Sequence, residues 1–161
     1  MKSLRIWPFL VLVGLLIVAI SAAPVAAAGS PTTASGSFTQ NTFVQSNVRT
    51  ADGGTLFDFT ETDSLTGTLS GTTLIQGHCV IQASGQGTCV ARETLTGTAA
   101  GQSGTLEFAD VIHISNVTTG AATGHFAVIG GSGDLAHVTG QGTFQGSGGS
   151  GTYSGRLIFG P

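Results

Sequence analysis

Residues 126–144 read F-A-V-I-G-G-S-G-D-L-A-H-V-T-G-Q-G-T-F, from Phe126 to Phe144. Two short apolar runs flank a glycine-rich corner, Gly130-Gly131-Ser132-Gly133. Glycine reaches φ > 0 without a Cβ clash, so a chain can reverse tightly there. The stretch predicts a β-hairpin, with one strand ending at Gly130 and the next beginning at Asp134.

The same pattern extends outward in both directions. No proline lies between Pro31 and Pro161, and short Thr, Val, Ile and Phe runs alternate with Gly, Ser and Asn corners. That is the signature of an all-β domain, and no long run with a helical period interrupts it. Strands are expected over 35–49, 55–66, 67–82, 86–98, 103–115, 123–130, 134–145 and 150–159. Eight meandering strands point to an antiparallel up-and-down β-barrel, which also removes exposed sheet edges. A two-sheet sandwich is the alternative. An internal repeat supports the hairpins: Asp63-Ser64-Leu65-Thr66-Gly67-Thr68 recurs as Glu93-Thr94-Leu95-Thr96-Gly97-Thr98, thirty residues later.

The first 28 residues read differently. Lys2 and Arg5 precede an uncharged run from Ile6 to Ile20, followed by Ala22, Ala23, Ala26, Ala27 and Ala28. This is the layout of a secretory signal peptide cleaved after Ala28. The competing reading is a membrane anchor over residues 6–28, long enough to span a bilayer. Residues 29–34 are expected as a flexible lead-in and 35–161 as a single barrel domain. Beyond residue 28, Arg49, Arg92 and Arg156 stand against eight carboxylates, for a net charge of −5. No basic face is available for nucleic acid or anionic lipid, so neither is expected as a partner.

Three constellations could carry chemistry. Cys79 and Cys89, centred on Ser84, would face each other across a symmetric hairpin, and a secreted chain favours a disulfide between them, with a redox-active pair or metal ligands as the alternative. His113, His125 and His137 are spaced by twelve. Two symmetric hairpins would align them across three strands, where they could bind zinc or copper. The competing reading makes them an outward polar stripe, because Phe108, Ile112, Phe126 and Val128 fall on the opposite, apolar face. That apolar face is the candidate ligand-binding surface. Asp110 shares it by alternation, and a carboxyl in an apolar barrel resists ionisation, as an acid or base needs. Glu107 is a second catalytic candidate, and Glu93 a weaker one. No phosphate-loop, dinucleotide, nucleophile-elbow or metalloprotease fingerprint is present, so no cofactor is expected.

The segment Phe126-x-Val128-x-Gly130-Gly131-Ser132-Gly133-Asp134-Leu135-Ala136, with Gly140-x-Gly142-x-Phe144, resembles the allene oxide cyclase-like barrel superfamily. Dirigent proteins and uncharacterised bacterial families have a similar pattern. The resemblance covers about residues 65–159. It implies an eight-stranded antiparallel barrel with an internal cavity, among relatives that include cyclases and proteins steering radical coupling. None of those relatives' catalytic residues maps onto a position here. The leading expectation is therefore a secreted barrel holding a small apolar or amphipathic ligand. The alternatives are a cyclase or isomerase with Asp110 or Glu107 as acid or base, and a cell-surface structural protein.

Overall fold

Strand after strand alternates a buried residue with an exposed one, as in Leu69, Thr73 and Ile75 inward against Ser70, Thr72 and Leu74 outward. Only a sheet with one dry face satisfies that period of two along every strand. The computed structural model describes residues 29–161. The signal-peptide and anchor readings of residues 1–28 lie outside the described residues.

Eight antiparallel strands form one closed barrel in sequence order. They are β1 (Thr32–Ala51), β2 (Gly54–Gly67), β3 (Leu69–Ile81), β4 (Gly87–Ala99), β5 (Gln102–Asn116), β6 (Ala121–Gly133), β7 (Val138–Ser147) and β8 (Ser150–Phe159). Closure comes from β1 against β8, with Thr32 opposite Leu157 and Thr39 opposite Ser150. The expected lead-in is thus partly strand: Thr32 is already paired, and Ala34 is fully buried.

The two ends of the barrel differ. At one end, Leu65, Leu69, Leu95, Leu106, Leu135 and Leu157 belong to a dry core that also takes in Phe108, Phe126 and Tyr153. At the other, Phe57, Phe59, Ile75, Ile81 and the two half-cystines form a second cluster along one wall. The first cluster is the floor. The second lines the upper part of an open lumen.

The corner expected at Gly130–Gly133 lies further along the chain. β6 runs through Gly133, and the reversal occupies residues 134–137. Burial decides the shift. The amides of Asp134, Leu135 and Ala136 bond to the carbonyls of Ser103, Ser132 and Gly133, and the resulting turn drives Leu135 into the barrel end, where it is 0 % exposed. Gly133, at φ +64°, supplies the left-handed residue this turn requires. The apolar side chain of Leu135 thus decides the turn, rather than the glycines before it.

Inward-facing glycines serve a different purpose from bending. A Cβ at Gly124 would strike the Phe144 ring, one at Gly142 the Phe126 ring, and one at Gly36 the Tyr153 ring. Eight strands leave an interior just wide enough for side chains to fill. Each glycine therefore seats an aromatic ring from a neighbouring strand.

Candidate functional site

The lumen holds a cavity of about 400 Å³ that opens at the end away from the leucine floor. Its rim includes Gln45, Val117, Gly120, Ser147 and Gly149, from β1, the end of β7 and two turns. The upper half of β1 pairs with β2 alone, because its ladder with β8 stops at Thr39. From that half-strand Phe43 leans over the lumen. It stacks on Phe59 with centroids 5.6 Å apart and meets Phe57 edge-on at 6.5 Å. Phe38 on β1 and Phe144 on β7 continue the aromatic lining, edge to face at 6.3 Å.

Below these rings the wall changes character. Glu61 and Asp63 on β2, Glu93 on β4 and Asp110 on β5 all line the cavity. The register explains why they share one level. Asp63 is opposite Thr73, Ile75 is opposite Glu93, and Glu93 is opposite Phe108, two residues from Asp110. Each step along this path is direct or diagonal, and the stagger of a tilted barrel brings such diagonals to a common height. Thr73, 1 % exposed, sits within the belt.

Burial sets the electrostatics. Removal from water pushes Glu93 up to about 8, and the neighbouring Asp110 and Asp63 charges add to the shift. Asp110 is raised to about 7 by burial, moderated by its hydrogen bond with Glu93. Glu61 is likewise raised to about 7 by burial and by Asp63, although Gln40 Nε2 donates to its Oε1 at 2.8 Å. Asp63 is raised by burial. Two atoms of the belt lack a hydrogen-bond partner: Asp63 Oδ1 and Asp110 Oδ1. Thr73 lies near enough to Glu93 to ease its ionisation slightly. A carboxyl that keeps its proton near neutrality can donate to, accept from or protonate whatever enters the lumen.

The family model described as "Protein of unknown function (DUF3224)" matches residues 34–156. The chain belongs to this family. A crystal structure of a DUF3224 protein of unknown function from Shewanella oneidensis MR-1 is similar in fold, with a TM-score of 0.68 at 20 % identity. The match covers 82 % of this chain and 99 % of that one. No curated protein matches the chain.

In this DUF3224 barrel the residues singled out from the sequence separate clearly. Asp110 lies inside, as alternation required, and Phe108, Ile112 and Phe126 line the cavity with it. Val128 does not line it; it packs against the floor core. Glu107 is exposed on the outer face, between the buried Leu106 and Phe108, and does not join the carboxyl belt. Glu93, the weaker candidate, is the residue that does. Cys79 and Cys89 are directly opposed and form a disulfide on the lumen wall. Such a bond suggests an oxidising, extracellular environment.

The histidines do not assemble. His113 is opposite Thr123, His125 is opposite Val111 and Thr143, and His137 is in the displaced turn. All three are exposed, and no group of three or more His, Cys, Asp or Glu among the described residues could hold a metal ion. The shift of the turn from Gly131 to Asp134 is what separates His125 from His137.

Glu61 and Asp63 were not anticipated as lumen residues. Their signal was nonetheless present, because Phe57, Phe59, Glu61, Asp63 and Leu65 occupy one face by strict alternation. The thirty-residue repeat carried the same information. It places Asp63 and Glu93 at matching points of β2 and β4.

Proposed function

We propose that this protein binds one small amphipathic ligand in its lumen, as a secreted barrel of the allene oxide cyclase-like kind. The observation that carries the reading is the cavity itself: largely apolar, girdled by a belt of carboxyls, and open at one end. At roughly 30 Å³ per water, 400 Å³ corresponds to about a dozen waters, or a ligand with a similar number of non-hydrogen atoms. Pockets of this size, largely apolar with a few convergent polar groups, are the usual form of small-molecule sites. A purely structural barrel has no use for four carboxyls in its interior. The glycine and phenylalanine pattern of β6 and β7 supports the superfamily assignment, and the disulfide supports secretion.

Titration with the apolar dye N-phenylnaphthylamine tests the reading. Saturable one-to-one fluorescence enhancement is expected, and Ile112→Trp, which fills the upper lumen, is expected to reduce it. Absence of saturable binding to the folded protein removes the proposal.

The carboxyl pair Glu93 and Asp110 favours a second reading, in which the barrel is an isomerase or cyclase. Its lumen would hold a reactive chain in shape while one carboxyl moves a proton. Asp110→Asn should then abolish turnover of a conjugated or epoxide substrate, and unchanged turnover removes Asp110 from that role.

A further inference from the structure

We infer that the ligand of this lumen carries a protonated amine at one end, seated among Asp63, Glu93 and Asp110, with an aryl or alkyl body reaching toward the mouth. The inference rests on the ligand-binding reading above and adds the chemistry of the head group.

The first argument is charge. Four carboxyls line the cavity, and no cation among the described residues faces them. Arg49, Arg92 and Arg156 are exposed on the outside, as are His78, His113, His125 and His137. The lumen residues contributed by β1, β6 and β7 are all uncharged. The hydroxyl of Tyr153, on β8, is already engaged with the backbone of Thr66 and Leu69. A buried carboxylate is costly unless it is paired, so the missing partner is a cation.

The second argument is hydrogen bonding. Asp63 and Asp110 are 4 % and 5 % exposed, yet one oxygen of each has no partner. Buried polar atoms in native proteins are rarely left unpaired. Both oxygens are acceptors and can take N–H donors of an ammonium group. A metal ion is a poorer fit, because no cluster among the described residues could hold one.

The third argument is shape. Along β2, Phe57 and Asp63 are six residues apart. At about 3.3 Å per residue and a strand tilt near 40°, the carboxyls lie roughly 15 Å below the upper phenylalanines. The polar end of the ligand is therefore held at the belt, and its body lies above it among Phe57, Phe59 and Phe43.

Isothermal titration of the full-length protein with three probes sharing one body tests this: phenylbutylamine, phenylbutanol and phenylbutyrate. At pH 8 the amine should bind at least tenfold more tightly than the alcohol, and the carboxylate should not bind. The belt carboxyls are raised toward neutrality, so below pH 7 the amine must displace a proton to form its ion pair. Its affinity should then rise with pH, up to tenfold per unit between pH 5 and 7, and its heat should vary with the ionisation enthalpy of the buffer. The double variant E93Q/D110N, checked for folding by circular dichroism, should bring the amine-to-alcohol ratio close to one. Equal binding of amine and alcohol by the unaltered protein, or preference for the carboxylate, overturns the amine while leaving a ligand-binding lumen. So does binding of N-phenylnaphthylamine with none of the three probes. Failure of all four compounds overturns the ligand-binding reading and the amine together.

Discussion

Raising the pH from 5 to 7 should destabilise this protein, opposite to the usual response of a carboxylate-rich domain. Glu61, Glu93 and Asp110 have folded-state pKa values raised by burial to about 7, 8 and 7. In the unfolded chain they return to about 4. Between those limits the folded state holds protons that the unfolded state has lost, so stability falls as pH rises. The contribution is fully present below pH 4 and is lost as pH passes through the folded-state values. Each retained proton is worth about 1.4 kcal/mol per pH unit, so a single one costs about 3 kcal/mol between pH 5 and 7. With an unfolding entropy near 2.1 cal/mol/K per residue over this barrel, that is a fall in Tm of about 10 °C. Urea melts at half-unit steps from pH 5 to 8 measure it directly, and E93Q/D110N should flatten the slope. A stability that rises steadily from pH 5 to 7 would refute the reasoning, because the belt would then be ionised in the folded state without cost.

Three further outcomes follow from the packing. Reducing the Cys79–Cys89 bond, which closes a loop with a sequence separation of 10, should cost about 2.7 kcal/mol by chain entropy, read as a lower urea midpoint under reductant. Tyr153→Phe removes the hydroxyl that accepts the Leu69 amide at 2.8 Å, leaving a buried donor unpaired; a loss of about 1–3 kcal/mol in a thermal melt is expected. Gly124→Ala places a methyl group against the Phe144 ring and should cost about 1–3 kcal/mol, and adding Phe144→Ala should recover part of that loss in a double-mutant cycle.

The barrel was legible because its alternation is consistent. Asp110 and the disulfide followed from counting residues along and across strands, and both positions agree with that count. What escaped was set by tertiary burial. The β6–β7 reversal was read from its glycines, but a leucine that needed covering moved it to residues 134–137 and dissolved the histidine alignment. Glu107 adjoins Phe108 in sequence, but its odd offset from Asp110 sends it to the outer face. Glu61 and Asp63 share a face with Phe57 and Phe59, a placement that hydrophobic patterning does not signal because charged residues are seldom inside a sheet.

β1 enters and β8 leaves the sheet at the leucine floor, side by side, with Thr32 opposite Leu157. Both ends of the barrel chain therefore depart from the sealed pole. A bead, a fluorescent domain or a surface lipid attached at either end will hold the barrel with its entrance turned outward. Immobilisation through a terminus leaves the route to the carboxyl belt clear, whereas a label on the loops at residues 117–120 or 148–149 stands in the doorway.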